Sequence, residues 1–309
     1  MTTLSGTGPS PPVRQHTVAR SAEWRGERRR RRTDVLVVHP AEADTGIRFL
    51  RLGDAPSAAI PARWDAVVDT RCGVVLGNAH GASLHGVTPL LAALRVAGVD
   101  NAVVEVQGSR IPADAGDFGF YLDMLADVGL QAQNLPRRLL RVVDTIAVRD
   151  RFGHASLSPS RWFRACVNVT TIRPGGHADS VWGAFASDFT EPNSGIRALV
   201  MGAHPEQSAA TGDADGWRPG RDIRTLPDTL RAAAIELIGH LVLAGAPLAG
   251  CVRTHGSNPS LYQALLRAAM ERGAIVPAGA ESHHAFDSVA PPAGDTAACP
   301  ACPGNDDGP

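Results

Sequence analysis

Two residues four positions apart carry side chains that could do chemistry together. Glu236 and His240 lie in a segment whose apolar residues recur with the period of an α-helix. At this spacing the two side chains share one face of the helix. A carboxylate beside an imidazole could act as an acid/base pair or supply two ligands to a metal ion. The same spacing is also typical of an ordinary pair on a helix.

The cysteines offer only a weak metal motif. Cys299 and Cys302 form a single Cys-x-x-Cys near the end of the chain, with His283 and His284 upstream. One such pair without a second pair of ligands does not favour a zinc site. The remaining cysteines lie dispersed in apolar segments, and the odd total of 5 does not suggest a disulfide framework; they are Cys72, Cys166 and Cys251.

The composition excludes one class of chemistry. The chain of 309 residues has 30 Lys+Arg, and all of them are arginine. No lysine is therefore available as a Schiff base, as a nucleophile or in a phosphate-binding loop. Arginine cannot replace it, because the guanidinium stays protonated. A GC-rich coding sequence, which also produces abundant Ala, Arg, Gly and Pro, explains this absence most simply.

Charge and hydropathy indicate a cytoplasmic protein with neither a membrane span nor a nucleic-acid partner. The formal net charge is −1, no apolar run is long enough to cross a bilayer, and residues 1–12 lack the apolar core of a signal peptide. Five consecutive arginines, Arg28 to Arg32, have only Trp24 as an aromatic neighbour. We interpret this run as a solvated hairpin, with a phosphate or nucleotide contact as the alternative.

The order of predicted elements indicates an α+β fold made of two similar halves, each a sheet packed with helices. The first half spans 13–133 and the second 138–277, while the Pro/Gly-rich ends 1–12 and 278–309 are expected to be disordered. The polar segment 131–138, which contains Pro136, is predicted as the linker. Helices are predicted over 90–97, 118–128, 226–244 and 261–272, and strands over 35–39, 47–52, 102–107, 139–148, 155–157, 163–171 and 248–254.

Several segments match one known family in residue type and in spacing. In the first half they are Ala43–Phe49, Ile60–Arg63, Val67–Arg71, Leu90–Leu94, Gly98–Val106, Ile111-Pro112 and Val128–Leu130. In the second half they are Ile238-Gly239, Leu241, Leu243, Gly245, Pro247-Leu248 and Leu265–Arg267. In these residues the chain resembles the UDP-3-O-acyl-N-acetylglucosamine deacetylases, the zinc-dependent amidases of lipid A synthesis. The resemblance implies a two-layer α+β sandwich with the active site between its halves, a zinc held by two His and one Asp, and a Glu base.

The matching segments lack the family's catalytic groups. Thr88 stands where the family has its Glu base, and Pro89 and Ala232 stand where it has two His ligands. The family's Lys, Asp ligand and His acid correspond to Ala233, Glu236 and Pro259, in that order. Thr88 is predicted instead to cap a helix whose first turn contains Pro89, and Pro259 again follows a good capping segment. Because proline and alanine have no metal-binding atom, the resemblance implies a divergent homologue for which no zinc cofactor is expected.

The former active site could still hold other groups. The resemblance places His240 near the former centre, and it makes His85, Thr88 and His255 candidate cleft residues beside Glu236 and His240. The preferred hypothesis is a catalytically degenerate homologue that binds an unknown small molecule or protein. One alternative is a metal-independent acid/base enzyme that uses Glu236 and His240 on a nucleotide sugar or specialised metabolite. A second alternative is a deacetylase with relocated metal ligands.

Overall fold

The structure is a computed structural model of the chain. It describes residues 13–28, 32–52, 58–112, 118–151, 153–160, 163–172, 178–187, 197–202, 224, 226 and 228–278. The predicted disorder of 1–12 and of nearly all of 278–309 lies outside these residues. The same is true of the C-terminal Cys and His residues of the weak metal motif.

Four α-helices and eighteen β-strands make up the described part of the chain. The helices are α1 (Thr88–Ala97), α2 (Phe118–Val128), α3 (Asp228–Val242) and α4 (Pro259–Glu271), with a short 3-10 helix at Trp64–Ala66. The strands of the first half are β1 (Arg14–Val18), β2 (Ala22–Arg28), β3 (Arg32–Pro40), β4 (Ile47–Arg51), β5 (Ile60–Pro61), β6 (Val67–Asp69), β7 (Val75–Gly77), β8 (Ser83–His85), β9 (Ala102–Val106) and β10 (Leu130–Pro136). Those of the second half are β11 (Leu140–Val142), β12 (Ile146–Asp150), β13 (Gly153–Ser158), β14 (Phe163–Ile172), β15 (Ala178–Ser187), β16 (Arg197–Gly202), β17 (Leu248–His255) and β18 (Ile275–Pro277).

The two halves of the chain build separate sheets. The first half forms a five-stranded sheet of order β2-β3-β9-β4-β5, a three-stranded sheet of β6, β7 and β8, and the pair β1-β10. The second half forms an eight-stranded sheet whose main path is β12-β13-β17-β14-β15-β16, with β11 paired to β17 and β18 paired to β11. Alternate residues of β9 and of β17 are buried, so one face of each large sheet points into the core.

The helices lie between the sheets and carry the contact between the halves. Helix α1 packs against α2 and α3, while α3 packs on β14 and α4 on β12 and β13. Apolar residues of all four helices and both large sheets belong to one buried core. This arrangement confirms the predicted α+β fold. No helix in the described ranges is both long and apolar enough to cross a bilayer.

Some of the predicted helices and strands agree with the structure, and others do not. Helix α2 has the predicted bounds and is followed by Gly129 in a left-handed conformation, with φ 69°. The predicted linker 131–138 was wrong, because Leu130–Pro136 forms β10 and pairs with β1. The single strand predicted over 139–148 is two strands, β11 and β12. Strands β15 and β16 lie in the stretch 174–228, for which almost no element was predicted from the sequence. The first and last arginines of the run are paired, because Arg28 ends β2 opposite Arg32 at the start of β3.

A buried ion pair joins the end of β10 to the loop before β9. Arg137 Nε donates to Asp100 Oδ2 at 2.9 Å, and the two side chains are only 7% and 10% exposed. The same guanidinium donates to the carbonyl oxygen of Gly98 at 2.6 Å, and Asp100 Oδ2 also accepts from the backbone N–H of His16 at 2.9 Å. These bonds satisfy two charges that would otherwise be costly to bury.

The contact between α1 and α3 depends on a glycine. Gly239 lies inside α3 and faces the first residue of α1, Thr88. A methyl group at position 239 would overlap both the Cγ2 atom and the carbonyl oxygen of Thr88. The backbone of Trp64 adds a second link between the halves. Its amide N–H donates to the carbonyl oxygen of Leu243, and its carbonyl oxygen accepts from Gln263 Nε2, both at 2.8 Å.

We expect Gly239→Ala to destabilise the protein by about 1–3 kcal/mol, because the added methyl group forces α1 and α3 apart. The loss should exceed the gain in helix propensity from alanine. Urea unfolding followed by circular dichroism measures the change. Thr229→Ala, on the exposed first turn of the same helix, is the control and should leave stability nearly unchanged. An unchanged unfolding midpoint for Gly239→Ala would contradict close packing of α1 on α3.

We expect Asp100→Ala to cost about 3–5 kcal/mol, because it leaves the Arg137 guanidinium buried without its partner. The matched control is Asp69→Ala, which removes an ion pair to Arg71 whose side chain is 87% exposed. That control should behave like the wild type, since exposed ion pairs contribute little. Equal losses in the two variants would show that burial does not decide the contribution of these pairs.

Candidate functional site

Glu236 and His240 lie together on α3, as their spacing predicts. His240 Nδ1 is 3.4 Å from Glu236 Oε1, and the two atoms are close without the alignment of a hydrogen bond. The His240 side chain is 1% exposed and that of Glu236 is 25% exposed. No described protein atom hydrogen-bonds to either ring nitrogen of His240. The pair is therefore in contact, with the imidazole inside the core and the carboxylate nearer the surface.

An aromatic residue of α4 completes the surroundings of His240. The ring of Tyr262 lies edge-on to the imidazole, with 5.6 Å between centroids and 72° between planes. The Tyr262 hydroxyl donates to the carbonyl oxygen of Gly256 at 3.4 Å. Burial raises the pKa of Tyr262, against smaller opposing effects of the neighbouring Ser257 and Thr254 side chains. The phenol is therefore neutral at physiological pH and serves as a packing partner for His240.

Thr88 occupies a packing position and does not cap its helix. The N-cap of α1 is Val87, which makes no side-chain capping hydrogen bond, and Thr88 is the first helical residue. Its side chain is buried against α3 at Gly239, next to His240. The predicted capping role of Thr88 was therefore wrong, because tertiary packing on α3 uses this side chain. Pro89 follows in the first turn, as predicted.

The second proline also begins a helix. Pro259 is in the first turn of α4, and the side chain of Asn258 caps this helix by accepting from Ser260 N–H at 2.9 Å. This cap confirms the interpretation of the segment as a helix start. The hydroxyls of Ser260 and Thr70 lie 2.9 Å apart, so the start of α4 also contacts the first half of the chain.

The other two candidate residues, His85 and His255, lie on strands of two different sheets. His85 ends β8, and its backbone bonds to Ser109 and Ile111. His255 follows Thr254 on β17, and successive residues of a strand point to opposite faces. Thr254 is buried toward α4, whereas the ring of His255 stacks on His154. The structure therefore brings Glu236 and His240 together, packs Thr88 against the neighbouring Gly239, and places His255 on the other face of the sheet.

Two residues of this site were missed by the sequence reasoning. Tyr262 lies on α4, and nothing in its local pattern shows that α4 packs against α3. Gly239 carried a signal, because an isolated glycine inside a helical pattern costs stability and usually has a packing reason.

The side chains present at this site do not fit a zinc ion of the kind that the resemblance implies. Pro89 has no donor atom, and neither has Ala232. Glu236 and His240 supply one carboxylate and one imidazole, whereas catalytic zinc sites use three protein ligands. In the part of the chain that the structure describes, no group of three or more His, Cys, Asp or Glu residues is placed to hold a metal ion.

Comparisons with known proteins point to one family. The sequence model described as LpxC, UDP-3-O-acyl N-acetylglycosamine deacetylase, matches residues 15–187, more than half of the chain. The UDP-3-O-acyl-N-acetylglucosamine deacetylase of Phenylobacterium zucineum is 31% identical over 253 residues, which cover 74% of this chain and 85% of the relative. The protein of that name from Thermosynechococcus vestitus is 28% identical over 281 residues, 86% of this chain and 98% of the relative. From these matches and the α+β fold, the chain belongs to the UDP-3-O-acyl-N-acetylglucosamine deacetylase family.

Proposed function

We propose that this chain is a catalytically degenerate member of the deacetylase family, which has kept the fold and serves as a binding or scaffold protein. The observation that carries the proposal is the set of side chains around Glu236 and His240, which lacks the ligands and the base of a zinc amidase. Relatives are named for deacetylation of UDP-3-O-acyl-N-acetylglucosamine. Family membership supplies the fold for that activity, but the chemistry depends on the residues at the site.

A zinc hydrolase depends on the ligands of its metal ion and on a nearby base. Three protein ligands leave one position for a water whose pKa the metal lowers, and a nearby carboxylate accepts its proton. At the position of that base stands Thr88, whose hydroxyl cannot accept a proton at neutral pH. Its methyl group is packed against α3. Because several groups are absent together, restoring one of them does not restore the reaction.

The surroundings of His240 support a structural role for the pair. The imidazole is buried between the backbone of α3 and the ring of Tyr262, where it contributes to the packing of α3 on α4. Glu236 lies one turn earlier and partly covers the same face. In this proposal, the two residues hold the helices together and transfer no proton.

We expect the purified chain to release no acetate from UDP-3-O-acyl-N-acetylglucosamine above the uncatalysed rate, and to contain less than about a tenth of an equivalent of site-bound zinc. The Phenylobacterium zucineum relative, prepared in parallel, is the positive control for activity and metal. Zinc is measured by elemental analysis in the intact chain and in a Cys299→Ser/Cys302→Ser variant, which separates binding by the C-terminal motif. Stoichiometric zinc in that variant together with acetate release would overturn the proposal.

We expect His240→Leu to change the free energy of unfolding by less than about 1 kcal/mol, because an apolar side chain of similar size replaces a buried imidazole without protein hydrogen bonds. His240→Ala is the comparison, and it should cost about 2 kcal/mol or more through the cavity that it leaves. Urea unfolding of both variants gives the two values. A large loss in His240→Leu would mean that the contact with Glu236 stabilises the fold.

A further inference from the structure

Three neighbouring strands of the eight-stranded sheet bring two imidazoles and an amide into one row. His154 on β13 is opposite His255 on β17, and His255 is beside Asn168 on β14. Residues paired in this way point to the same face of a sheet. The row lies on the face away from the helices, because the adjacent residues Ala155, Thr254 and Val167 are buried toward the core. It is therefore separated by the sheet from Glu236 and His240.

Backbone contacts between β13, β17 and β14 fix the positions of the three residues in this row. A methyl group at Gly153 would overlap the carbonyl oxygen of His255, so β13 approaches the end of β17 as only a glycine allows. On the other side, Gly256 N–H donates to the carbonyl oxygen of Asn168 at 2.9 Å. The Cα positions of the three side chains are thus fixed by contacts on both sides of β17.

The geometry of the two rings suits a shared metal ion. The His154 and His255 rings are parallel within 7°, and their centroids are 5.4 Å apart. A late first-row metal ion lies about 2.0–2.1 Å from an imidazole nitrogen, and therefore about 3 Å from the ring centre. Two rings on one ion then have centroids about 5 Å apart, which is close to the spacing of the His154 and His255 rings.

Other features of the row favour a cation over an anion. Each neutral imidazole offers a ring nitrogen with a lone pair, which is the type of ligand that late first-row metal ions prefer. The Oδ1 atom of Asn168 is buried and accepts no hydrogen bond from any described residue. A neutral nitrogen and an unpartnered oxygen both offer lone pairs, which a metal ion accepts.

We propose that His154, His255 and Asn168 form a binding site for a late first-row divalent metal ion, held by two imidazole nitrogens and the Asn168 amide oxygen. Imidazole nitrogens favour such ions over Mg²⁺ or Ca²⁺. With two strong ligands, the ion is exchangeable and keeps coordination positions open to solvent or to a second ligand. The site is independent of the proposed loss of zinc amidase chemistry.

One neighbouring charge opposes the ion and provides a further test. Arg149 on β12 is paired with His154 and is exposed at the edge of the described strands. Its guanidinium repels a bound dication, although its long side chain can extend into solvent. Arg149→Gln should therefore tighten metal binding several-fold, whereas a site elsewhere would not respond.

The experiment measures the shift in melting temperature of the full-length chain on titration with Ni²⁺ alone. Binding to the folded β-sheet raises the melting temperature, and binding to a segment that does not fold with it does not. Each protein is compared with its own metal-free sample, so a change in basal stability does not imitate a loss of binding. His154→Asn and His255→Asn should each weaken Ni²⁺ binding at least tenfold and remove most of the shift, while the exposed control His80→Asn keeps it.

A second measurement uses the unaltered protein and needs no variant to fold. Paramagnetic Ni²⁺ should broaden the NMR signals of β13, β14 and β17 residues around the row at substoichiometric amounts. The proposal is overturned if Ni²⁺ produces no shift in the wild type, if both histidine variants keep the full shift, or if the broadening is confined to other parts of the chain.

Discussion

The close approach of α1 and α3 at Gly239 is the contact on which the arrangement of the two halves depends. Helix α1 belongs to the first half and α3 to the second, so their separation sets how the two large sheets face each other. Because the contact includes a backbone oxygen of Thr88, a rotamer change cannot relieve it. Gly239 is also adjacent to His240, so the same contact determines how deeply the imidazole lies. The contact between α1 and α3 and the burial of His240 therefore depend on the same packed residues.

Local signals predicted the helices better than the pairing of strands. The bounds of α2 follow from its apolar pattern and from Gly129, which can adopt the left-handed conformation that ends a helix. Strand β10 was missed because its residues are mostly polar and its partner, β1, is distant in sequence. Gln133 belongs to the polar segment that was predicted as the linker, but its Oε1 accepts a hydrogen bond from Asn101 Nδ2 at 2.7 Å. Such a bond cannot be predicted from a local window.

The same distinction applies to the sites. The contact of Glu236 with His240 follows from helical spacing alone, and the structure has it. Tyr262 reaches His240 only through the packing of α4 on α3, and His154 reaches His255 only through antiparallel register. Thr88 shows the reverse error, since a residue type that often caps helices is used here as a buried packing residue. For Tyr262, His154 and Thr88, the tertiary contacts of the side chain determine its role, and local propensity does not.

The residues that replace the catalytic groups of the family are ones that the fold accepts. Pro89 and Pro259 both lie in the first turn of a helix, where the missing N–H has no intrahelical partner to lose. Ala232 is exposed, and Ala233, where the family has a lysine, is buried at 3% exposure. A compositional preference for arginine explains lysine loss at surfaces, but an arginine at position 233 would bury a charge in the core. Alanine avoids that cost and has the highest helix propensity. The fold therefore limits which residues can stand at these positions of the family's sequence.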